Sequence, residues 1–191
     1  MLAMTLWAPG CVTHEVAENY GQYLTNQDGT VQLPETGLIA VYSLAPATLD
    51  HRLEFKSATT GLANTWAVEF GKMLQATLQS QDVRRAFAEL NPAPAAHGSD
   101  TLELAFELEN YRFEDTRAKI DLAVTVSGGG SELFRNVYRA EGVSQGGKMF
   151  WGGAFAMRNA IHQSTKLAMD EILAEFLNDL WAQTQAHTAA S

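Results

Sequence analysis

Between residues 101 and 126 the chain alternates with little interruption. Leu102, Leu104, Phe106 and Leu108 are separated by Glu103, Ala105, Glu107 and Glu109, and after a polar stretch Ile120, Leu122, Val124 and Val126 repeat the pattern. A period of two predicts strands that bury one face. Both apolar sets are even-numbered, so an antiparallel pairing that keeps them on one face joins residues whose numbers sum to an even value. A connection of odd length around Glu114, Asp115 and Thr116 would supply that register. "SGGGS", Ser127 to Ser131, marks the next turn, and Glu132 to Gly142 reads as a third strand with Leu133, Val137 and Tyr138 as core candidates.

The period then changes. From about Ala154 to Trp181, Met157, Ile161, Ala168, Ile172, Phe176 and Leu180 recur at helical spacing, and Met169, Leu173 and Leu177 widen the stripe. Upstream, Gly37 to Leu44 is a short apolar strand candidate. Trp66, Phe70, Met73, Leu74 and Leu78 predict a first helix, with Asn64 or Thr65 as its cap. Ser80-Gln81-Asp82 reads as a break, Asp82 to Leu90 as a strand and "NPAPAAHGSD" as a loop. The expected fold class is α+β, an antiparallel sheet in the order β-α-β-β-β-β-α with two helices packed on one face. The expected domain spans residues 37–182. Residues 12–36, polar and turn-rich, are expected to form a flexible tether, and residues 183–191 a mobile tail.

Composition narrows what such a domain can do. Apolar residues at 46% and charged residues at 18% describe a chain that folds. A formal charge of -9, with no basic cluster beyond Arg84-Arg85, argues against nucleic acid, because phosphate binding needs grouped Lys and Arg. It also argues against attraction to an anionic membrane surface.

Cys11 is the single cysteine, so it forms no internal disulfide and no Cys-based metal site. It ends "LWAPGC", after an apolar run from Met1 to Pro9 that is too short to span a bilayer. Residues 1–11 therefore read as the remnant of a bacterial lipoprotein signal, with Cys11 as the lipidated residue and Ala8 where that signal favours Leu.

"GVSQG", Gly142 to Gly146, spells the G-x-S-x-G of a nucleophile elbow and makes Ser144 the candidate of a rival reading as a small serine esterase. The expected context differs from such an elbow: an antiparallel strand precedes Ser144, and "QGGKMFWGG" follows it where a helix should start. His162 and Asp170 lie about 80° apart around the closing helix and do not by themselves assemble a triad. Glu103, Glu107 and Glu109 share a strand face and are read as solvated, with Arg117 and Lys119 as cross-strand partners. The five histidines, at 14, 51, 97, 162 and 187, show no ligand spacing, and neither metal nor cofactor is expected. Met149, Phe150 and Trp151, a bulky apolar step between glycine pairs, either seat the closing helix or engage a partner.

Several of these stretches together resemble a known family. They are the cysteine of "APGC", "NTWAVEFGKMLQATLQ", "DTLELAFELENYRFEDTRAKIDLAVTV", "LFRNVYRAEGVSQGG" and "STKLAMDEILAEFL". The pattern resembles the auxiliary lipoprotein of ABC-type, MCE-linked lipid transport systems and, more distantly, the YajG-type envelope lipoproteins. The resemblance implies a non-enzymatic accessory subunit with no catalytic residues, anchored through Cys11. Val12 after that cysteine implies, by similarity to sorted lipoproteins, the periplasmic face of the outer membrane. Its partners would be envelope transport proteins, and a homo-oligomer is compatible with it. A soluble, unlipidated binding module is the further alternative.

Overall fold

The computed structural model describes residues 12–94, 101–144 and 149–190, without the side chains of Thr59, residues 149–152 and residues 186–190. The alternating stretches become a meander of three long antiparallel strands: β6 (Leu102–Glu114), β7 (Arg117–Gly128) and β8 (Ser131–Val143). Their even-numbered side chains form the core face. Leu104 pairs with Val126, Phe106 with Val124 and Leu108 with Leu122, each pair summing to an even number as alternation requires.

The register then shifts. A bulge between Leu108 and Asn110 leaves Glu109 unpaired, and beyond it Tyr111 faces Ile120 and Phe113 faces Ala118. This device turns two odd-numbered aromatic residues onto the core face. It also corrects the expected connection. The turn between β6 and β7 has two residues, Asp115 and Thr116, both left-handed (φ 50° and 64°), as a type I′ hairpin demands. The bulge supplies the odd residue that was expected in the turn.

The fold is α+β, with mixed sheets in place of one antiparallel sheet. β2 (Ile39–Leu44) runs parallel to both of its neighbours, β6 and β5 (Glu89–Pro92), giving a five-stranded order β5-β2-β6-β7-β8. A second sheet has the order β1-β4-β3, from β1 (Val12–Glu15), β3 (Arg52–Lys56) and β4 (Asn64–Glu69). Two short segments enter between them: α1 (Tyr20–Thr25) before β2 and α2 (Pro46–Leu49) after it.

Trp66 belongs to β4, where a helix start was expected. "TWAV" is β-branched and aromatic, and as the central strand between β1 and β3 it buries Trp66, Ala67 and Val68 fully. α3 begins at Phe70 and runs to Leu78, with Glu69 at its cap position and no side-chain cap. Its buried Phe70, Met73, Leu74, Thr77 and Leu78 keep the expected helical face. The strand expected over Asp82 to Leu90 divides into α4 (Gln81–Arg85) and β5, because the Ser80 hydroxyl accepts from Val83 N and makes the supposed break a helix cap.

Residues 12–36 are an integral part of the domain. β1 pairs with β4, and Val16, Tyr20, Leu24 and Leu33 enter the core. The four-residue steps from Val16 to Tyr20 to Leu24 are a helical signal masked by the polar residues around it.

α5 (Met149–Ala190) closes the molecule along β7 and β8, and it continues through residues 183–190, where a tail was expected. Gly153 (φ 51°, ψ -134°) interrupts its first turns. Phe176 meets Phe106 and Tyr138 edge-on at 6.0 Å and 5.9 Å, and α3 lies beside it through the Thr77 hydroxyl, 3.1 Å from the Met169 sulfur. On the opposite sheet face, Glu107 and Glu109 pair with Arg135, while Arg117 pairs with Glu141 and Lys119 with Glu114. The expected partners Arg117 and Lys119 thus serve other carboxylates.

Candidate functional site

Ser144 follows directly on the antiparallel edge strand β8. Its hydroxyl donates to the carbonyl of Thr116 at 2.8 Å, and its backbone N–H approaches the same oxygen at 3.4 Å. That oxygen belongs to the left-handed, β-branched residue of the β6–β7 turn, a conformation such residues rarely adopt. Ser144 therefore fastens the hairpin tip to the end of β8.

Gly142 answers to a different neighbour. A Cβ there would lie 1.7 Å from the carbonyl oxygen of Ser164 on α5, so only glycine lets the helix backbone settle on the strand. His162 is likewise committed elsewhere. Its Nε2 lies 2.8 Å from the Val16 carbonyl and must carry the proton, with the rings of Tyr20 and Tyr23 centred 5.3 Å and 5.2 Å away. Burial lowers its pKa, against the Val16 hydrogen bond and with a contribution from Arg158, so the ring is held neutral. These residues do not come together as serine, base and acid; Gly146 lies outside the described residues.

One turn further along α5 is a buried ion pair. Lys166 Nζ donates to Asp170 Oδ2 at 2.6 Å, with the two residues only 6% and 9% exposed. Burial raises the Asp170 pKa, opposed by Lys166 and assisted by Asp82. The pair lines a cleft of about 260 Å³ together with Leu24, Thr77, Asp28 and Asp82. Asp82 is itself engaged, accepting from Gly29 N at 2.9 Å and from Arg85 at 3.3 Å. Among the described residues no three His, Cys, Asp or Glu side chains are grouped to hold a metal ion. No described helix is long and apolar enough to cross a membrane.

Val12, Phe55 and the β6–β7 hairpin tip that holds Ser144 lie towards one end of the molecule. Cys11 and the side chains of Met149, Phe150 and Trp151 lie outside the described residues, but the segments that flank them are defined. Val12 opens β1 opposite Asn64, and its N–H donates to the Ala63 carbonyl at 3.0 Å. Next to it are the end of β3 and the 3-10 turn Ala58–Thr60. Phe55 of β3 stacks on Phe113 at 5.3 Å, which brings in the β6–β7 hairpin tip and, through Thr116, Ser144.

The beginning of α5 reaches the same end. The helix touches the Ala58–Thr60 turn, meets Val16 at His162, and meets α1 at Lys166 and Asp170. α5 and the N-terminal segment thus run in the same direction, and traced backwards both lead to this pole. Here Val12, Leu62 and Phe155 are 52%, 67% and 72% exposed. Sequence reasoning singled out neither Leu62 nor Phe155; the signal available was an apolar residue in a turn and one just after Gly153.

No protein-family model and no curated protein matches the chain. Among solved structures it is similar to a protein from Xanthomonas campestris described under family model DUF330, at 14% identity and a TM-score of 0.49, over 82% of this chain and 91% of that one. It is also similar to an uncharacterized protein at 18% identity and a TM-score of 0.43, over 81% of this chain and 96% of that one.

Proposed function

We propose that the chain is a non-enzymatic envelope lipoprotein, anchored through Cys11 to the periplasmic face of the outer membrane. It serves as an accessory subunit of an ABC-type system that moves lipid or other hydrophobic cargo. The observation that carries the reading is the position of the cysteine. Cys11 ends an apolar run after Gly10 and immediately precedes β1, so an acyl anchor there would hold the domain against the bilayer without an intervening tether. The sequence resemblance to auxiliary lipoproteins of lipid transport points the same way. The contacts of Ser144 support a structural role for that residue: its hydroxyl proton is directed at the Thr116 carbonyl, where a nucleophile would offer it to a base.

Expression of the full gene in a bacterial host, followed by intact mass of the envelope protein, tests this reading. Diacylglycerol and an acyl chain on Cys11, both lost in Cys11→Ser, are expected. An unmodified Cys11 would overturn it.

A further inference from the structure

We propose that the pole formed by Val12, Leu62 and the Gly153–Phe155 segment of α5 is a lipid-contacting surface that lies on a neutral bilayer. The proposal deepens the envelope reading and rests on it for bringing a membrane within reach. Three observations point to lipid as the occupant. The chain leaves the described structure at this pole, and the residues that precede Val12 are mostly apolar, "MLAMTLWAPG" and Cys11. Cys11 is joined directly to Val12, so a lipid anchor on it would bring a bilayer within reach of this surface.

The exposed side chains here are large and apolar, and they come from three separate elements: a strand start, a turn and a helix start. A side chain like Phe155, just past the non-helical Gly153, gains free energy by leaving water. The charge of the chain selects the kind of lipid. A formal charge of -9 disfavours an anionic surface, so attachment should come from apolar insertion into zwitterionic lipid and respond weakly to salt.

The test is flotation of full-length Cys11→Ser protein with phosphatidylcholine vesicles, which removes any contribution from an acyl anchor. The parent should float with the vesicles. Leu62→Asp combined with Phe155→Asp should reduce the bound fraction by about tenfold. Leu49→Asp combined with Leu167→Asp, apolar residues 45% and 42% exposed on α2 and on a later turn of α5, should leave it within about twofold. All of these positions are on the surface, and an unchanged thermal melt checks that each variant folds.

Hydrogen exchange in residues 58–64 and 153–158 should slow when vesicles are added. A parent that does not float, or a control pair that reduces flotation as much as the Leu62 and Phe155 pair, overturns the proposal. The two readings fail separately. Lipidated Cys11 without flotation removes the surface and leaves the lipoprotein, whereas flotation with an unmodified Cys11 does the reverse.

Discussion

His162 and the Lys166–Asp170 pair lie on neighbouring turns of α5, and each buries polar atoms by a different route. His162 stays neutral. It spends its one ring N–H on the Val16 carbonyl and packs beside Tyr20 and Tyr23 in edge and tilted contacts, which leaves no charge to desolvate. Lys166 and Asp170 keep both charges and satisfy them against one another at 2.6 Å. The difference follows from their surroundings. The histidine meets backbone and aromatic rings from the N-terminal segment, whereas the ion pair lines a cleft that also holds Asp28 and Asp82. Substitution can break the histidine hydrogen bond from the donor side only, because its acceptor is backbone; the ion pair can be broken from both sides, and either survivor is a stranded charge.

The largest expected effect is therefore on the ion pair. Lys166→Met should cost about 3–5 kcal/mol in chemical denaturation, since Asp170 is left buried without its partner. Adding Asp170→Leu should recover most of that loss. A Lys166→Met cost no larger than a surface substitution would show that the pair is solvated.

His162→Phe comes next. It preserves ring volume but removes the donor to Val16, and should cost about 1–3 kcal/mol. The same variant separates the two clusters by pH. The folded His162 binds its proton less readily than the unfolded side chain, whose ordinary value is 6.5. Its contribution to stability is therefore fully present above pH 6.5 and is lost as the pH falls from there towards the lower folded value. Asp170 has the opposite sign. Its folded pKa is raised above the ordinary 3.8, so acidification through the folded value relieves the cost of holding it ionised. Urea midpoints measured downward from neutral pH should fall less steeply in His162→Phe than in the parent. Some slope should remain, because burial lowers the pKa of His51 as well.

The smallest effect belongs to the open sheet face. Arg135, at 3.1 Å from Glu107, is 43% exposed with a partner that is 55% exposed. Arg135→Ala should change stability by less than about 1 kcal/mol, and by less still in high salt. A larger loss would mean that water reaches this face less freely than its exposure indicates.

Long, one-sided elements were legible in the residues themselves. β6 and β7 announce themselves by alternation and α5 by a stripe that continues for more than six turns, whereas β8 alternates poorly, and of its expected core residues Tyr138 is buried and Leu133 exposed. The short elements were not. β3 has five residues and α1 six, too few for a period to stand out, and Trp66 fits a helical and an extended pattern equally well until both neighbours of β4 are known. The candidate site divides similarly. Cys11 is visible as a motif because its signal is local. The task of Ser144 is invisible, because its partner carbonyl lies 28 residues away.

The amino-acid sequence alone determined the class of the protein, an α+β domain with a meander and a closing amphipathic helix. Those properties arise from periodic burial, which neighbouring residues encode. Only tertiary structure decided that Val16, Tyr20, Leu24 and Leu33 enter the core, that Gly142 is required by Ser164, and that Val12, Leu62 and Phe155 share one pole. Each of these depends on which distant backbone comes to rest alongside, and no spacing along the chain carries that information.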